Sequence, residues 1–127
     1  MKSEKFENGT VETWTTQEVS DAFASNEIVL IDVRTPQEFT FERIGGALLA
    51  PMQAFSAGHM PGQSEKRIVL HCGSGVRSGK VAAMCLDAGM ERIAHMEGGL
   101  GAWKEAGFEY TGTDMATGAP KNMKKED

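Results

Sequence analysis

Two short segments rich in apolar and β-branched residues, Ile28–Val33 and Arg67–His71, constrain the fold of this 127-residue chain more than any other feature. Each segment is too short for a buried helix, and neither alternates between apolar and polar side chains as a half-buried strand does. Such segments are typical of strands covered on both faces, as in a parallel sheet. A helical pattern follows each of them. Strands that alternate with helices predict an α/β domain with a mainly parallel central sheet flanked by helices.

Local signals predict the remaining elements. Thr15–Glu18 and Thr35–Glu38 are capping boxes, in which a Thr and a Glu three residues later satisfy backbone N–H groups at a helix start. The second box also has Pro36 at the first helical position. Together with the apolar spacing, these signals predict helices over about 15–25, 36–42, 78–88 and 98–106, weaker strands at 47–50 and 93–96, and a surface loop over 52–66.

The length of the chain suits one domain with a single core. We interpret residues 1–14 as an N-terminal extension and residues 15–110 as the domain. Residues 111–127 are polar, with Gly, Pro and Lys, and are predicted to be a C-terminal tail with little intrinsic order.

Composition narrows the classes of partner. The net charge is −5, and no cluster of Lys and Arg forms a footprint for a phosphate backbone, so we expect no nucleic-acid binding. No apolar run approaches the roughly 20 residues that cross a bilayer, and the charged start lacks a secretory signal. We therefore expect no membrane association and a cytoplasmic protein. The two Cys and three His show neither CxxC nor HxxxH spacing, so no metal is expected.

The candidate site is the loop Cys72–Arg77, which lies between a predicted strand end and a predicted helix start. Ligands of open α/β sheets gather at the carboxyl ends of strands. Gly73 and Gly75 allow the loop to curl, so that successive backbone N–H groups and the positive end of the helix face an anion. That anion is either an external one or the thiolate of Cys72, whose pKa such surroundings lower. Cys85, on the apolar stripe of a helix, is predicted to be a core residue.

The chain resembles the rhodanese (thiosulfate sulfurtransferase-like) family, as a single-domain member. Three blocks carry the resemblance, in order and at the family's spacing, between about Thr15 and Phe108. They are Asp32–Phe39 with Ile44–Ala47, Ile68–Gly79, and Glu97–Trp103 followed by Gly107. One departure is Glu42-Arg43, where the family often has Gly-His.

The resemblance implies a rhodanese-like three-layer domain and a two-step sulfur transfer without a metal or a separate cofactor. Cys72 would be the nucleophile and would take a sulfane sulfur from a donor as a persulfide. The resemblance assigns the binding of the donor and of the persulfide to the rest of the loop, namely Gly73, Ser74, Gly75, Val76 and Arg77. The acceptor would be cyanide, a small thiol or a sulfur-accepting protein. The donor stays open between thiosulfate and mercaptopyruvate.

Asp32 and Arg34 are expected to support the site through ion pairs, because they follow a buried strand. His71 precedes the nucleophile directly and is expected to point to the opposite face of its strand, away from the thiol.

Two alternatives stay open. A phosphatase or arsenate reductase could use the same fold, but Cys-based phosphatases place five residues between Cys and Arg, and here four intervene. A sulfur-sized group therefore fits this loop better than a phosphoryl group. The other alternative is a non-catalytic or protein-partnered rhodanese-like module that carries sulfur or binds a small anion.

Overall fold

A computed structural model describes residues 1–124 of the chain. Over these residues a six-stranded sheet has the order β1-β2-β6-β5-β3-β4, and a separate hairpin of β7 and β8 follows it. The strands are β1 (Lys2–Phe6), β2 (Gly9–Trp14), β3 (Ile28–Asp32), β4 (Leu48–Leu49), β5 (Arg67–His71), β6 (Arg92–Met96), β7 (Tyr110–Thr113) and β8 (Pro120–Met123). The helices are α1 (Thr16–Ala24), α2 (Pro36–Phe41), α3 (Val76–Asp87) and α4 (Gly99–Glu105), with short 3-10 turns at Met52–Ala54 and Ala57–His59.

The two apolar segments form the centre of the sheet, where β3 and β5 pair in parallel. Their side chains pack on both faces: Leu30 and Val69 lie in a core with α1 and α4, whereas Ile31 and Leu70 lie in a second core with α3. All strand pairs of this sheet are parallel except β1 with β2. The predicted fold class, a mainly parallel sheet between helices, is confirmed.

Both predicted capping boxes are present. The Thr15 hydroxyl accepts from the Glu18 N–H at 3.1 Å, and the Glu18 carboxylate accepts from the Thr15 N–H at 2.9 Å. At α2 the corresponding distances between Thr35 and Glu38 are both 3.2 Å. The second box matters for the site, because it fixes where α2 begins after β3.

Residues 1–14, interpreted from the sequence as an N-terminal extension, contribute two strands to the sheet. β1 and β2 form a hairpin, and β2 pairs in parallel with β6. On β2 the Glu12 carboxylate is fully buried; Oε2 accepts from Arg92 at 2.8 Å and lies 2.9 Å from Arg67 Nη2, while Oε1 accepts from the indole N–H of Trp14 at 2.9 Å. Burial alone would raise the pKa of Glu12, but these partners outweigh it and hold the pKa below its usual value.

The prediction of little order after residue 110 is wrong for most of the tail. β7 and β8 pair through an antiparallel register from Tyr110–Met123 to Thr113–Pro120. The backbone N–H groups of Arg43 and Thr111 each donate to the other's carbonyl oxygen, at 2.8 and 2.7 Å, which attaches the hairpin to the domain. The turn is closed by the Asp114 carboxylate, which accepts from the Ala116 N–H at 2.9 Å. Residues 125–127 of the predicted tail lie outside the described residues.

Within residues 1–124, no helix combines the length and apolar character needed to cross a membrane.

We predict that Glu12→Gln destabilises the domain. The substitution keeps the shape of the side chain but leaves two arginines facing a neutral amide beside the core. Loss of charge-assisted hydrogen bonds of this kind costs about 1–3 kcal/mol in the free energy of unfolding. Urea denaturation at pH 7 measures the change, and Glu4→Gln on the exposed strand β1 is the matched control. Equal unfolding midpoints for wild type and Glu12→Gln would contradict this prediction.

Candidate active site

Cys72 is the first residue after β5, and the loop that follows leads directly into α3. The first turn of α4 holds this loop by its backbone: the Leu100 N–H donates to the Cys72 carbonyl oxygen at 2.8 Å, and the Gly101 N–H donates to that of Gly73 at 3.1 Å. The approach is so close that a Cβ on Gly99 would lie 2.4 Å from the Cys72 carbonyl oxygen. Gly99 of the Glu97–Trp103 block is therefore required for this close contact with the cysteine loop.

The sulfur of Cys72 lies among hydrogen-bond donors of its own loop. The Gly75 N–H donates to Sγ at 3.0 Å, and the Ser78 hydroxyl oxygen lies 3.6 Å from Sγ. Gly75 reaches this position in a left-handed conformation, with φ of 103°, as the N-cap of α3. Burial raises the pKa of the Cys72 thiol, but hydrogen bonds from Ser78, Ser74 and Gly75 outweigh it, so the pKa is lowered.

The second cysteine lies in a different environment. Cys85 is fully buried on α3 in the core that covers one face of the sheet, as predicted. Burial raises the pKa of its thiol to about 11. At neutral pH the two thiols therefore differ in their readiness to ionise, and Cys72 is the more acidic.

Arg77, which was predicted to face an anion, makes a two-pronged ion pair with Glu38 of α2. Its Nη1 and Nη2 atoms donate to the two carboxylate oxygens at 2.6 and 2.9 Å. The hydrogen bonds from Arg77 are the largest cause that lowers the pKa of Glu38 to about 2. Glu38 thus has two roles, as cap of α2 and as partner of Arg77, and only the first was predicted from the sequence.

Asp32 and Arg34 form a buried ion pair at the end of β3. The Arg34 side chain donates from Nη2 to Asp32 at 2.8 Å and to the Glu42 carbonyl oxygen at 2.6 Å, which joins the end of β3 to the end of α2. Their supporting role toward the cysteine loop stays a prediction.

The His71 ring is buried beside this ion pair. Its Nδ1 lies 3.1 Å from the Cys72 carbonyl oxygen and its Nε2 lies 3.5 Å from Asp32. The contacts of His71 are therefore with the backbone and a carboxylate, and burial lowers its pKa.

Of the predicted binding residues, Ser74 and Gly75 direct backbone N–H groups to the cysteine sulfur. The Gly73 carbonyl oxygen faces α4, and the Val76 side chain is exposed at the start of α3. Two residues that sequence reasoning missed are Ser78 and His95, whose side chains are 2.9 Å apart. Ser78 follows the loop by one residue and could have been noticed. His95 could not, because only the pairing of β5 with β6 brings it near the loop. Among the described residues no group of three or more metal-binding side chains converges on one point.

Comparison with known proteins identifies the family. The model of the rhodanese-like domain matches residues 15–106, which include every residue of the loop and of its support on α4. The chain belongs to the rhodanese-like domain family.

Relatives with this domain occur in several bacteria. An uncharacterized protein of Synechocystis is 40% identical over 89 residues, which make up 70% of this chain and 50% of that protein. A sulfurtransferase of Allochromatium vinosum is 30% identical over 66% of this chain and 78% of its own length. A solved structure from Rhodopseudomonas palustris, described as a possible tyrosine phosphatase, is 30% identical with a TM-score of 0.66, covering 76% of this chain and 81% of that one. The rhodanese-like chain thus spans half the length of its Synechocystis relative.

The Glu38–Arg77 pair predicts a dependence of stability on pH. The pKa of Glu38 falls from 4.5 to about 2 on folding, so its contribution to stability is present above pH 4.5 and is lost as the pH falls toward 2. We expect Glu38→Gln to lower the free energy of unfolding at pH 7, and the difference from wild type to shrink as the pH falls through this window.

Urea denaturation at a series of pH values measures this difference, with Glu65→Gln in the exposed loop as control. A gap between wild type and Glu38→Gln that stays constant from pH 7 to the lowest accessible pH would show that the pair does not cause it.

Proposed function

We propose that the protein is a sulfurtransferase that moves a sulfane sulfur from a small anionic donor, such as thiosulfate, to a thiophilic acceptor through a persulfide on Cys72. The observation that carries the proposal is the position of the Gly75 N–H, 3.0 Å from Cys72 Sγ, in a loop whose donors lower the pKa of that thiol. The Allochromatium relative named a sulfurtransferase supports the same class of reaction.

The proposed chemistry needs no outside oxidant or reductant. The Cys72 thiolate attacks the outer sulfur of thiosulfate, the S–S bond of the donor breaks, and sulfite leaves with the electron pair. The terminal sulfur of the new persulfide carries the negative charge. Cyanide or a thiolate then attacks that terminal sulfur, the S–S bond of the persulfide breaks, and its electron pair goes to the Cys72 sulfur, which is restored as thiolate. The product is thiocyanate or a persulfide of the acceptor.

The loop residues have distinct parts in this scheme. The backbone N–H groups of Ser74 and Gly75 stabilise the negative sulfur, first as thiolate and then as persulfide. Arg77 attracts the anionic donor to the loop, and the donor competes with Glu38 for its guanidinium. Because Cys72 requires a compartment in which thiols stay reduced, we also propose the cytoplasm as its location.

Phosphate-ester hydrolysis is the second candidate, favoured by the Rhodopseudomonas structure that is described as a possible tyrosine phosphatase. The loop argues against it, because Cys-based phosphatases have one residue more between the cysteine and the arginine. A ring of four intervening residues leaves less room around a tetrahedral phosphoryl group. We therefore prefer sulfur transfer.

We predict that incubation with thiosulfate adds one sulfur atom to the Cys72 peptide and none to the Cys85 peptide. The difference follows from the opposite pKa shifts of the two thiols. Mass spectrometry of the intact protein and of its peptides detects the added sulfur. The matched variants are Cys72→Ser, which should take up no sulfur, and Cys85→Ser, which should behave like wild type.

Turnover separates the alternatives. Formation of thiocyanate from thiosulfate and cyanide by wild type, lost in Cys72→Ser, is the result expected of the enzyme. A stable persulfide that cyanide does not discharge would indicate a module that hands sulfur to a protein partner. Hydrolysis of p-nitrophenyl phosphate without any uptake of sulfur would indicate the phosphatase.

We further predict that Arg77→Ala weakens the donor step. Loss of a charge-assisted contact to the anion costs about 1.5–3 kcal/mol, or roughly ten- to a hundredfold in kcat/KM for thiosulfate. Glu38→Gln is the informative companion, because it leaves Arg77 in place and frees its guanidinium, so kcat/KM should not fall. Equal losses in both variants would mean that the ion pair matters for the shape of the loop, and not for attraction of the donor.

A further inference from the structure

The Ser78 hydroxyl lies between the sulfur of Cys72 and the ring of His95. Its oxygen is 3.6 Å from Sγ and 2.9 Å from His95 Nδ1. Ser78 itself is fully buried, so water does not compete for these contacts. The side chains of Cys72 and His95 are thus joined through one hydroxyl group.

That hydroxyl has one proton and three acceptors within reach. Besides the Cys72 sulfur and His95 Nδ1, the carbonyl oxygen of Gly75 lies 3.2 Å away. If Nδ1 accepts the proton, the hydroxyl has none left for the sulfur. If Nδ1 carries its own proton, it donates to the hydroxyl oxygen, and the Ser78 proton is left for the sulfur or for Gly75. The effect of Ser78 on Cys72 therefore depends on the tautomer of His95.

A second contact of the ring is compatible with the tautomer in which Nδ1 carries the proton. The Thr13 hydroxyl on β2 lies 3.3 Å from His95 Nε2, and the two residues are direct partners in the parallel pairing of β2 with β6. A hydroxyl that donates to Nε2 makes it the acceptor nitrogen, so that Nδ1 carries the hydrogen of a neutral imidazole.

We propose that Thr13, His95 and Ser78 form a hydrogen-bond chain with a single direction, in which each group donates to the next and the Ser78 hydroxyl donates to the Cys72 thiolate. His95 is then a positioning residue that acts on the nucleophile through Ser78. It adds no charge to the site and undergoes no chemical step.

The surroundings of His95 suit a neutral ring. The ring is half-buried and lines a cavity of about 310 Å³ between the β1–β2 hairpin and α3, together with Glu4 of β1 and Asp87 of α3. Burial lowers the pKa of His95, while the nearby Glu97 acts in the opposite direction and does not cancel the effect. Arg77 is a cation whose charge interacts with that of Cys72.

The inference about this hydrogen-bond chain rests on the proposed function, because sulfur transfer requires Cys72 as thiolate. It can nevertheless be tested without any sulfur donor. The ultraviolet absorbance of the thiolate, titrated in each variant against the same variant carrying Cys72→Ser, reports the ionisation of Cys72 alone. If the variants change the ionisation of Cys72 as expected but the protein transfers no sulfur, the proposed function is contradicted and this inference stands.

His95→Phe removes the group that donates to the Ser78 oxygen and orients the hydroxyl, which is then free to turn its proton to the Gly75 carbonyl oxygen. We expect the thiolate fraction at a pH below the pKa to fall several-fold, by less than the tenfold that corresponds to one pKa unit. His95→Asn is the conservative variant, because its amide N–H can take the place of Nδ1–H, and it should restore most of the thiolate. Ser78→Ala should lower the fraction at least as far as His95→Phe does.

The double variant Ser78→Ala/His95→Phe tests whether the effect passes through the hydroxyl. We expect it to match Ser78→Ala alone, because within residues 1–124 the Ser78 hydroxyl is the group that joins His95 to the sulfur. Additive effects of the two substitutions would overturn the chain, as would a thiolate fraction in His95→Phe equal to that of wild type.

Nitrogen NMR of the histidine rings in the wild-type protein gives a result that does not depend on any variant folding. The expected tautomer of His95 has its proton on Nδ1 and none on Nε2, with the ring assigned through its bonds to the backbone resonances of the wild-type protein. A proton on Nε2 instead would mean that Ser78 donates to the ring, and the proposed direction of the chain would be wrong.

Discussion

The contact between the start of α4 and the backbone of Cys72 and Gly73 is the constraint on which the site depends. Two carbonyl oxygens of the cysteine loop are taken up by N–H groups of α4, at 2.8 and 3.1 Å. With these carbonyls turned outward to α4, the loop is free to direct its own N–H groups inward to the sulfur. Gly99, with φ of +60° and no room for a Cβ, allows the two backbones to meet. One block of sequence thus shapes another that lies 27 residues earlier in the chain.

Local physical signals explain why much of the fold could be predicted. The apolar runs at β3 and β5 need cover on both faces wherever they occur, and the Thr and Glu of a capping box act within four residues. The N-terminal hairpin has no local signal of this kind. Its buried Glu12 pairs with Arg67 and Arg92, which are distant in sequence, so its place in the sheet could not be predicted from neighbouring residues. From the sequence alone, a carboxylate on a strand is predicted to be exposed, because the partners that allow its burial are not visible.

In the candidate site, too, the features formed by consecutive residues could be predicted, and those formed by residues distant in sequence could not. The strand, the glycines and the helix start that surround Cys72 follow one another in the chain, so the loop could be recognised as a site for an anion. The partner of Arg77 could not, because Glu38 lies on α2, 39 residues away, and had already been given a role as a cap. His95 was beyond reach for a similar reason: its relation to Ser78 depends on the register of β6 beside β5.

The position of Thr13 has a consequence for how such domains diversify. The family match begins at residue 15, so the hairpin that carries Thr13 is peripheral to the shared domain, yet it borders the ring that contacts Ser78. An accessory strand added along the edge of a common scaffold can in this way modulate an inherited nucleophile without altering any residue of the loop around it. Paralogues with identical cysteine loops could accordingly differ in reactivity through segments that an alignment of the domain alone leaves out.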